Sequence, residues 1–101
     1  MSRASSSSEP EVKHNPAQQR FEIVLEEGTA VLVYMKVGDT LIFHHTEVPE
    51  ALEGKGLASL LAKTGLDFVR ENHITAGALC PFVKGYVEKH PEYQDLIKLR
   101  H

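Results

Sequence analysis

The pattern of apolar and polar residues along the chain first becomes regular at Arg20. From there, Phe21, Ile23 and Leu25 alternate with mainly polar residues, which is the period-two signature of a half-buried strand. The next segment, residues 29–37, carries apolar side chains at both alternating sets of positions. This second pattern predicts a strand that is covered on both sides.

A turn and a third strand are predicted to follow. Gly38 and Asp39 form a two-residue hairpin signal, because glycine adopts positive φ angles at little cost. Residues 40–48 then predict a third strand, which stops before Pro49. Together the three segments predict an antiparallel meander.

The hydrophobic period then changes from two to 3.6, which predicts a helix over residues 55–71. Gly65 falls on the apolar face of this helix, so we expect the helix to approach the sheet closely there. Residues 74–80 predict a short strand, parallel to the third strand and joined to it by a β-α-β crossover. Pro81 suits the first turn of a second helix, and residues 93–99 predict a last short helical turn. The order β-β-β-α-β-α predicts the α/β class: a mixed sheet with helices on its faces.

Length and composition then divide the chain of 101 residues into two parts. Residues 1–19 include four consecutive serines and almost no large apolar side chains, which predicts a disordered tail. Residues 20–101 are expected to form one small domain.

Charge and cysteine usage narrow the classes of function. The formal net charge of −3 gives no support for a general nucleic-acid or anionic-membrane binder, since either would need a basic patch. A single cysteine excludes an intramolecular disulfide and a Cys-rich zinc site. No apolar run approaches the roughly 20 residues of a membrane span, and residues 1–19 lack the apolar stretch of a signal peptide. The cytoplasm is therefore the expected location.

The segment Glu-Gly-Lys-Gly-Leu-Ala-Ser, residues 53–59, lies between a predicted strand end and a helix start. The first turn of a helix presents unpaired N–H groups and a partial positive charge, and Lys55 adds a full one. The segment is therefore either a plain glycine-rich turn or an anion-binding loop. It is neither of two familiar nucleotide motifs, because Gly56 follows Lys55 where a Walker A loop needs Ser or Thr, and Ser59 replaces the third glycine of the dinucleotide fingerprint.

A set of short motifs spans most of the predicted domain. They are His-Thr-Glu-Val-Pro at 45–49, Glu-Gly-Lys-Gly-Leu-Ala at 53–58, Leu-Cys-Pro-Phe at 79–82, Tyr86, and His-Pro-Glu-Tyr at 90–93. In these motifs and their spacing, the chain resembles the short, single-domain branch of the GNAT acetyltransferase superfamily. The resemblance covers roughly residues 21–96 and implies a minimal GNAT-like fold.

The resemblance implies that the glycine segment binds acetyl-CoA as a co-substrate. GNAT domains hold the pyrophosphate on a loop and helix that carry the pattern R/Q-x-x-G-x-G/A. Here that pattern falls on residues 53–58, with Gly56 and Ala58 at its small positions. Glu53 departs from the pattern, which removes a donor from the pyrophosphate side, and Lys55 would compensate.

The superfamily also splays two neighbouring strands so that the pantetheine pairs with an exposed strand edge. By position, residues 46–48 would supply that edge. The cofactor-binding residues that the resemblance implies are Thr46, Glu47, Val48, Gly54, Lys55, Gly56, Leu57, Ala58 and Ser59.

Cys80 stands immediately before Pro81 at a predicted helix start. A helix N-terminus favours the reactive thiolate form of a cysteine. Free cysteine is nevertheless among the most buried residue types and often serves only as a small hydrophobe. Both interpretations stay open, and the resemblance adds weight to the catalytic one. Cys80 would then accept the acetyl group covalently, unless the substrate amine attacks the thioester directly.

Two other residues are candidates for proton transfer. His44 and His45 are adjacent on a predicted strand, so one should face the crossover helix and the other should face away. His45 is the better candidate for a base toward a substrate ammonium, because histidine exchanges protons near neutral pH. The resemblance makes Tyr86 the candidate general acid for the departing CoA thiolate. No metal is expected, since two histidines and one cysteine lack the local spacing of a zinc site.

These expectations describe an N-acetyltransferase that transfers an acetyl group from acetyl-CoA to an amine. The chain is too short for a built peptide or antibiotic site, so the acceptor would be small or held by a partner. The alternative is a non-catalytic acyl-CoA-binding or sensor module with the same fold. A more distant alternative is an interaction domain in which the glycine segment is only a turn.

Overall fold

The computed structural model describes residues 11–99, which form a mixed sheet with two α-helices. Its strands are β1 (Lys13–Asn15), β2 (Arg20–Leu25), β3 (Gly28–Val37), β4 (Thr40–Glu47), β5 (Thr75–Ala78) and β6 (Ile97–Leu99). The helices are α1 (Leu57–Glu71) and α2 (Pro81–Lys89), and short 3-10 helices span Glu50–Leu52 and Pro91–Leu96. The strands lie in sequence order, β1 to β4 antiparallel and β4 to β6 parallel. The α/β class and the predicted β-β-β-α-β-α order of the main elements are confirmed, and no helix of residues 11–99 is long and apolar enough to span a membrane.

The strand β1 corrects the predicted boundary of the N-terminal tail. Lys13, His14 and Asn15 pair antiparallel with β2, so the sheet begins before Arg20. The imidazole of His14 stacks on the Phe21 ring at 4.3 Å between centroids and shares a hydrogen bond with the Tyr34 hydroxyl at 2.6 Å. The expectation of a disordered segment through residue 19 is therefore wrong for β1 and the turn after it. Residues 1–10 of the predicted tail lie outside the described residues.

The hydrophobic core lies on one face of the sheet. Residues from both α1 and α2 join the inward-facing side chains of β2 to β5 in a single cluster that includes Phe21, Leu32 and Phe43. On the opposite face, Met35 and Val37 are 45% and 57% exposed. The expectation that β3 is covered on both sides is therefore wrong for the second half of the strand, although Val31 on the same face is only 8% exposed. Both helices pack on the same side because consecutive right-handed crossovers that step in one direction along a sheet return over the same face.

Gly65 allows α1 to pack closely on the sheet, as its place on the apolar face predicted. A Cβ atom at this position would lie 3.0 Å from Cε1 of Phe43 and 3.3 Å from Cδ2 of Leu32. Only glycine fits this contact without displacing the aromatic ring of β4. The contact sets the distance between the helix and the strand beneath it.

The C-terminal segment differs from the predicted helical turn, because a 3-10 helix at Pro91–Leu96 leads into the edge strand β6. The Tyr93 hydroxyl donates to Oδ1 of Asp67 at 2.8 Å, and the Arg70 guanidinium lies 5.0 Å above the Tyr93 ring. Burial and the hydrogen bond to Asp67 raise the pKa of Tyr93 to about 12. These contacts bind the segment to α1 and bring it to the edge of β5.

Candidate functional site

The strands β4 and β5 diverge near their carboxyl ends. They pair in parallel from Thr40 to Phe43 on β4, and β4 then continues to Glu47 without a partner on β5. At the point of divergence, the backbone N–H groups of Leu79 and Cys80 both donate to the Phe43 carbonyl oxygen, at 3.0 and 2.9 Å. Binding sites of α/β sheets commonly lie at such carboxyl-terminal openings.

A β-bulge lies on β4 where the opening begins. The register against β3 moves from Val33↔His45 to Tyr34↔Phe43, which leaves His44 as the extra residue. Both His44 and His45 are exposed, so the expectation that one of them faces the crossover helix is wrong. The bulge removes the strict alternation on which that expectation depended. The Nε2 atom of His45 lies 3.5 Å from Oε1 of Glu47, and both side chains are more than half exposed.

Thr46 and Cys80 meet across the opening. The Thr46 hydroxyl and the Cys80 thiol are 3.0 Å apart, and the thiol belongs to a residue that is 3% exposed. Cys80 is the N-cap residue of α2, with Pro81 at the first helical position as predicted. The thiol is thus a buried group held by one hydroxyl, at the end of the gap between the two strands. The strand-edge prediction for residues 46–48 included Thr46 but gave its side chain no role.

The glycine segment forms an exposed loop that ends in an uncapped helix start. Gly54 and Gly56 have φ angles of 86° and 76°, and a Cβ atom on either would meet nothing within 4 Å. Gly56 is the N-cap of α1, no side chain caps it, and the helical bonds begin with the Leu60 N–H donating to the Gly56 carbonyl at 3.1 Å. The helix begins at Leu57, two residues after the predicted start.

The start of α1 is therefore suited to an anion. Its first N–H groups, at Leu57, Ala58 and Ser59, precede the first helical bond and point out of the helix end. The first turn carries no acidic residue, and Lys55 and Glu53 are both exposed beside it. Open backbone, unused donors and the helix dipole together favour a phosphate group at this position.

Tyr86 lies on α2, among aromatic side chains from α2 and from the segment that follows it. Its ring stacks on His90 at 4.1 Å between centroids and lies 6.5 Å from the Phe82 ring and 6.1 Å from that of Tyr93. Burial raises the pKa of Tyr86, against the lowering effect of Lys63. The phenol is thus protonated at neutral pH, and its ring lies next to that of Phe82, two residues after Cys80.

Two large apolar side chains flank Cys80 and were not among the predicted site residues. Leu79 is 54% exposed and Phe82 is 39% exposed, whereas the cysteine between them is buried. The sequence signal that could have identified Leu79 and Phe82 is Pro81, which lies between them. The strand pattern ends and the helical pattern begins at this residue, so neither pattern assigns the two side chains to the core. The two side chains give the mouth of the opening an apolar rim.

Metal-ligating groups do not gather at this site. Residues 11–99 contain no cluster of three or more His, Cys, Asp or Glu side chains that could hold a metal ion. The partner of Cys80 is a threonine and that of His45 is a carboxylate. The arrangement offers a buried thiol, an exposed imidazole–carboxylate pair and a helix N-terminus around one opening in the sheet.

Comparison with known proteins shows what the chain resembles. The sequence model of the GCN5-related N-acetyltransferase family matches residues 20–96. The protein named NATD1 from Homo sapiens is 38% identical over 92 residues, which cover 88% of this chain and 81% of the relative. The NATD1 of Xenopus tropicalis is 38% identical over 97 residues, covering 93% of this chain and 89% of the relative.

A solved structure shares the fold. The NMR solution structure of a GCN5-like putative N-acetyltransferase from Staphylococcus aureus superposes with a TM-score of 0.69 at 30% sequence identity. The superposition covers 90% of each chain. The fold that the motifs implied is thereby confirmed.

Proposed function

Because this chain belongs to the GCN5-related N-acetyltransferase family, we propose that it binds acetyl-CoA and transfers the acetyl group to a primary amine. The main observation behind the proposal is that β4 and β5 diverge at the same end of the sheet as the uncapped start of α1. Acetyl-CoA carries its thioester on a long, flexible pantetheine arm, which would pair with a strand edge. Its charged pyrophosphate would need an anion site close to that edge. Both features lie at one end of this sheet.

The residues present fit the co-substrate. The open backbone at Gly54 and Gly56 would admit the pyrophosphate to the amides of Leu57, Ala58 and Ser59, as the free space around the two glycines supports. Lys55 would supply a positive charge at the same loop and so compensate for Glu53. The backbone of Thr46, Glu47 and Val48, beyond the last residue paired with β5, would hold the pantetheine arm, as the family resemblance implies.

In the transfer step, the amine nitrogen bonds to the acetyl carbon, the thioester C–S bond breaks and the CoA sulfur takes a proton. The incoming amine must first lose its own proton. His45 would accept that proton, because it is exposed beside the opening and its Nε2 faces the Glu47 carboxylate. The carboxylate would stabilise the imidazolium that forms.

Tyr86 is the weaker of the proposed proton-transfer residues. Its raised pKa suits a group that must carry a proton to donate. Its ring contacts are to Phe82, His90 and Tyr93, whereas the Thr46 hydroxyl and the Cys80 thiol pair with each other. A role for Tyr86 as the acid would require the leaving sulfur to reach its hydroxyl.

Cys80 has two candidate roles. Its burial and its bond to Thr46 favour a structural role and direct attack by the amine on the thioester. Its position at the start of α2 favours a nucleophile that accepts the acetyl group and passes it on. We propose the direct route because a 3% exposed thiol is poorly placed for two successive transfers.

The acceptor would be small, or held by another protein. The connection between β4 and α1 consists of residues 48–56, which is too short to form a peptide-binding wall over the opening. The exposed apolar side chains of Leu79 and Phe82 at its rim would contact the carbon skeleton of the amine or the pantetheine arm.

A non-catalytic acyl-CoA-binding module is the second candidate function. It is favoured by Glu53 in place of the usual Arg or Gln. In such a module the chain would bind acyl-CoA reversibly and leave the thioester intact.

The experiment is a transfer assay with acetyl-CoA and a panel of small primary amines, in which free CoA thiol and acetylated amine are both measured. Release of CoA matched by acetylated amine supports the transferase. Binding of acetyl-CoA without release for any amine supports the non-catalytic module.

The Cys80→Ser variant separates the two routes, because it preserves the size of the side chain but is a far weaker nucleophile. Transfer close to that of the wild type supports direct attack. Loss of transfer, with an acetyl group found by intact mass on the wild type alone, supports the covalent route. A His45→Gln variant should lower the rate in either case, because the amine must be deprotonated on both routes.

A further inference from the structure

A second cleft lies at the opposite end of the sheet from the glycine loop. It has a volume of about 320 Å³ and opens between the end of α1, the turn after β1 and the beginning of β4. Leu41 contributes to it from β4, five residues from Thr46 along the same strand, which is about 17 Å at about 3.3 Å per residue. The cleft is thus distinct from the opening between β4 and β5. Its volume falls at the lower end of the range of about 300–1,000 Å³ found for small-molecule sites.

The walls of this cleft combine apolar surface with polar groups that are not acidic. Phe68 and Ile74, which are both half-buried, supply apolar surface. Tyr34, His14 and Lys36 bring a hydroxyl, an imidazole and an ammonium group. None of its lining residues is Asp or Glu, although the chain as a whole carries a net charge of −3. Lys36 is therefore the one Lys or Arg among the lining residues, and none of the others is a carboxylate that could pair with it.

The surroundings of His14 likewise contain no carboxylate that raises its pKa. Burial lowers the pKa of His14. The groups that face it are the Phe21 ring at 4.3 Å, the Phe68 ring at 4.5 Å and the Tyr34 hydroxyl at 2.6 Å. An anion in the cleft would supply the charge that the lining lacks.

The nearby carboxyl end of α1 does not oppose an anion strongly. The Phe68 carbonyl accepts hydrogen bonds from the Asn72 backbone and side chain, at 3.1 and 2.8 Å. The carbonyls of Val69 and Arg70 accept from the amides of Ile74 and His73. With these terminal carbonyls bonded, their partial negative charge is largely satisfied within the chain.

We propose that this cleft binds a small organic carboxylate whose apolar body lies against Phe68 and Ile74 and whose carboxylate pairs with Lys36. The ring of His14 forms the wall contributed by β1, so binding requires that edge strand to be docked on β2. The ligand would hold β1 against the sheet in return. The site lies apart from the proposed acetyl-CoA site, and its existence does not depend on transfer activity.

The test uses phenylacetate as the probe, followed by NMR of the full chain. Titration should give saturable shifts of the amides of His14, Lys36 and Asn72, with a millimolar dissociation constant. The neutral isostere phenylacetamide should bind at least threefold more weakly, and phenethylamine more weakly still. The pKa of His14, followed by its ring carbon signals, should rise when phenylacetate is bound.

Two variants test whether the ammonium group of Lys36 pairs with the bound carboxylate. Lys36→Gln should weaken phenylacetate binding by about threefold or more, as expected for a partly exposed ion pair. Lys84→Gln, which removes the same charge from an exposed position on α2, should leave the affinity unchanged. The absence of saturable shifts at about 10 mM phenylacetate, which is well above a millimolar dissociation constant, would overturn the proposal. Equal affinities for phenylacetate and phenylacetamide would also overturn it, as would an unchanged affinity for phenylacetate in Lys36→Gln.

Discussion

The hydroxyl of Thr46 and the thiol of Cys80 lie 3.0 Å apart, across the point at which β4 and β5 separate. The two residues are 34 positions apart in the chain. Their contact ties the unpaired end of β4 to the first residue before α2, and it closes the inner end of the opening. This relationship makes the proposed site a product of tertiary packing rather than of one local motif.

Replacing Thr46 by valine should weaken this link while preserving shape. The loss of one hydrogen bond to a buried thiol should lower the free energy of unfolding by about 1 kcal/mol. Hydrogen exchange at the Cys80 amide should also become faster, because the strand end that it packs against is no longer tied. Urea denaturation and amide exchange measured by NMR check both effects.

Thr40→Val is the matched control for that variant. The Thr40 hydroxyl pairs with the Thr75 hydroxyl at 2.7 Å, at the other end of the same strand. It should cost a similar amount of stability and leave exchange at Cys80 unchanged. If the two variants affect Cys80 equally, the Thr46–Cys80 contact has no local role.

Gly56→Ala should reduce CoA binding beyond its effect on stability. A φ angle of 76° strains any residue with a Cβ atom, at a cost of about 1–3 kcal/mol. The new methyl group would also stand where the pyrophosphate approaches the backbone. We expect at least a tenfold loss of CoA affinity in isothermal titration.

Gly38→Ala carries the same kind of strain away from the proposed site. Gly38 has a φ angle of 60° in the β3–β4 turn, and a methyl group added to it would meet nothing within 4 Å. It should lose comparable stability and keep wild-type CoA affinity. Equal affinities in the two variants would show that the backbone at Gly56 takes no part in binding.

Gly65→Ala should destabilise the domain by about 1–3 kcal/mol, because the added methyl group would press on the Phe43 ring at 3.0 Å. Gly85→Ala on α2 meets nothing within 4 Å and should stabilise by up to about 1 kcal/mol through helix propensity. Thermal unfolding of the pair measures the difference. A neutral Gly65→Ala variant would contradict the close approach of α1 to β4.

The docking of β1 should make stability depend on pH through His14. Burial lowers the pKa of His14 in the folded chain below its ordinary value of 6.5, so the unfolded chain binds the proton more readily. Stability is therefore complete above about pH 6.5 and falls as the pH drops below it toward the lower folded pKa.

The His14→Phe variant keeps the ring stacking and removes the titration. The wild type should lose more stability than this variant between about pH 7.5 and about pH 5, as measured by urea denaturation. The comparison cancels the contribution of the other histidines. An equal loss in both proteins would show that His14 is not buried in solution.

Much of the fold could be predicted from local pattern. The alternation around Phe21 and the 3.6-residue period of α1 each reflect one neighbouring surface, so they indicated the strand, the helix and the close approach at Gly65. The glycines at 54 and 56 likewise indicated a loop before a helix start. These features depend on residues close together in the sequence.

The features that were missed depend on contacts between distant segments. The strand β1 is held by His14 among aromatic rings from β2, β3 and α1, and its own sequence has no strand pattern. The bulge at His44 arises from the register between β3 and β4, which no single segment encodes. The Thr46–Cys80 contact has the same cause, since it exists only once the crossover has brought β4 and α2 together.

Titration of the isotopically labelled chain with CoA, followed by amide NMR, tests most directly whether the opening and the helix start bind the co-substrate. We predict saturable shifts that are largest at Leu57, Ala58 and Ser59 and at the unpaired end of β4 around Thr46. Acetyl-pantetheine, which lacks the pyrophosphate, should shift the β4 amides but bind much more weakly. The absence of saturable shifts at millimolar CoA, or shifts centred away from the start of α1, would contradict the proposed site.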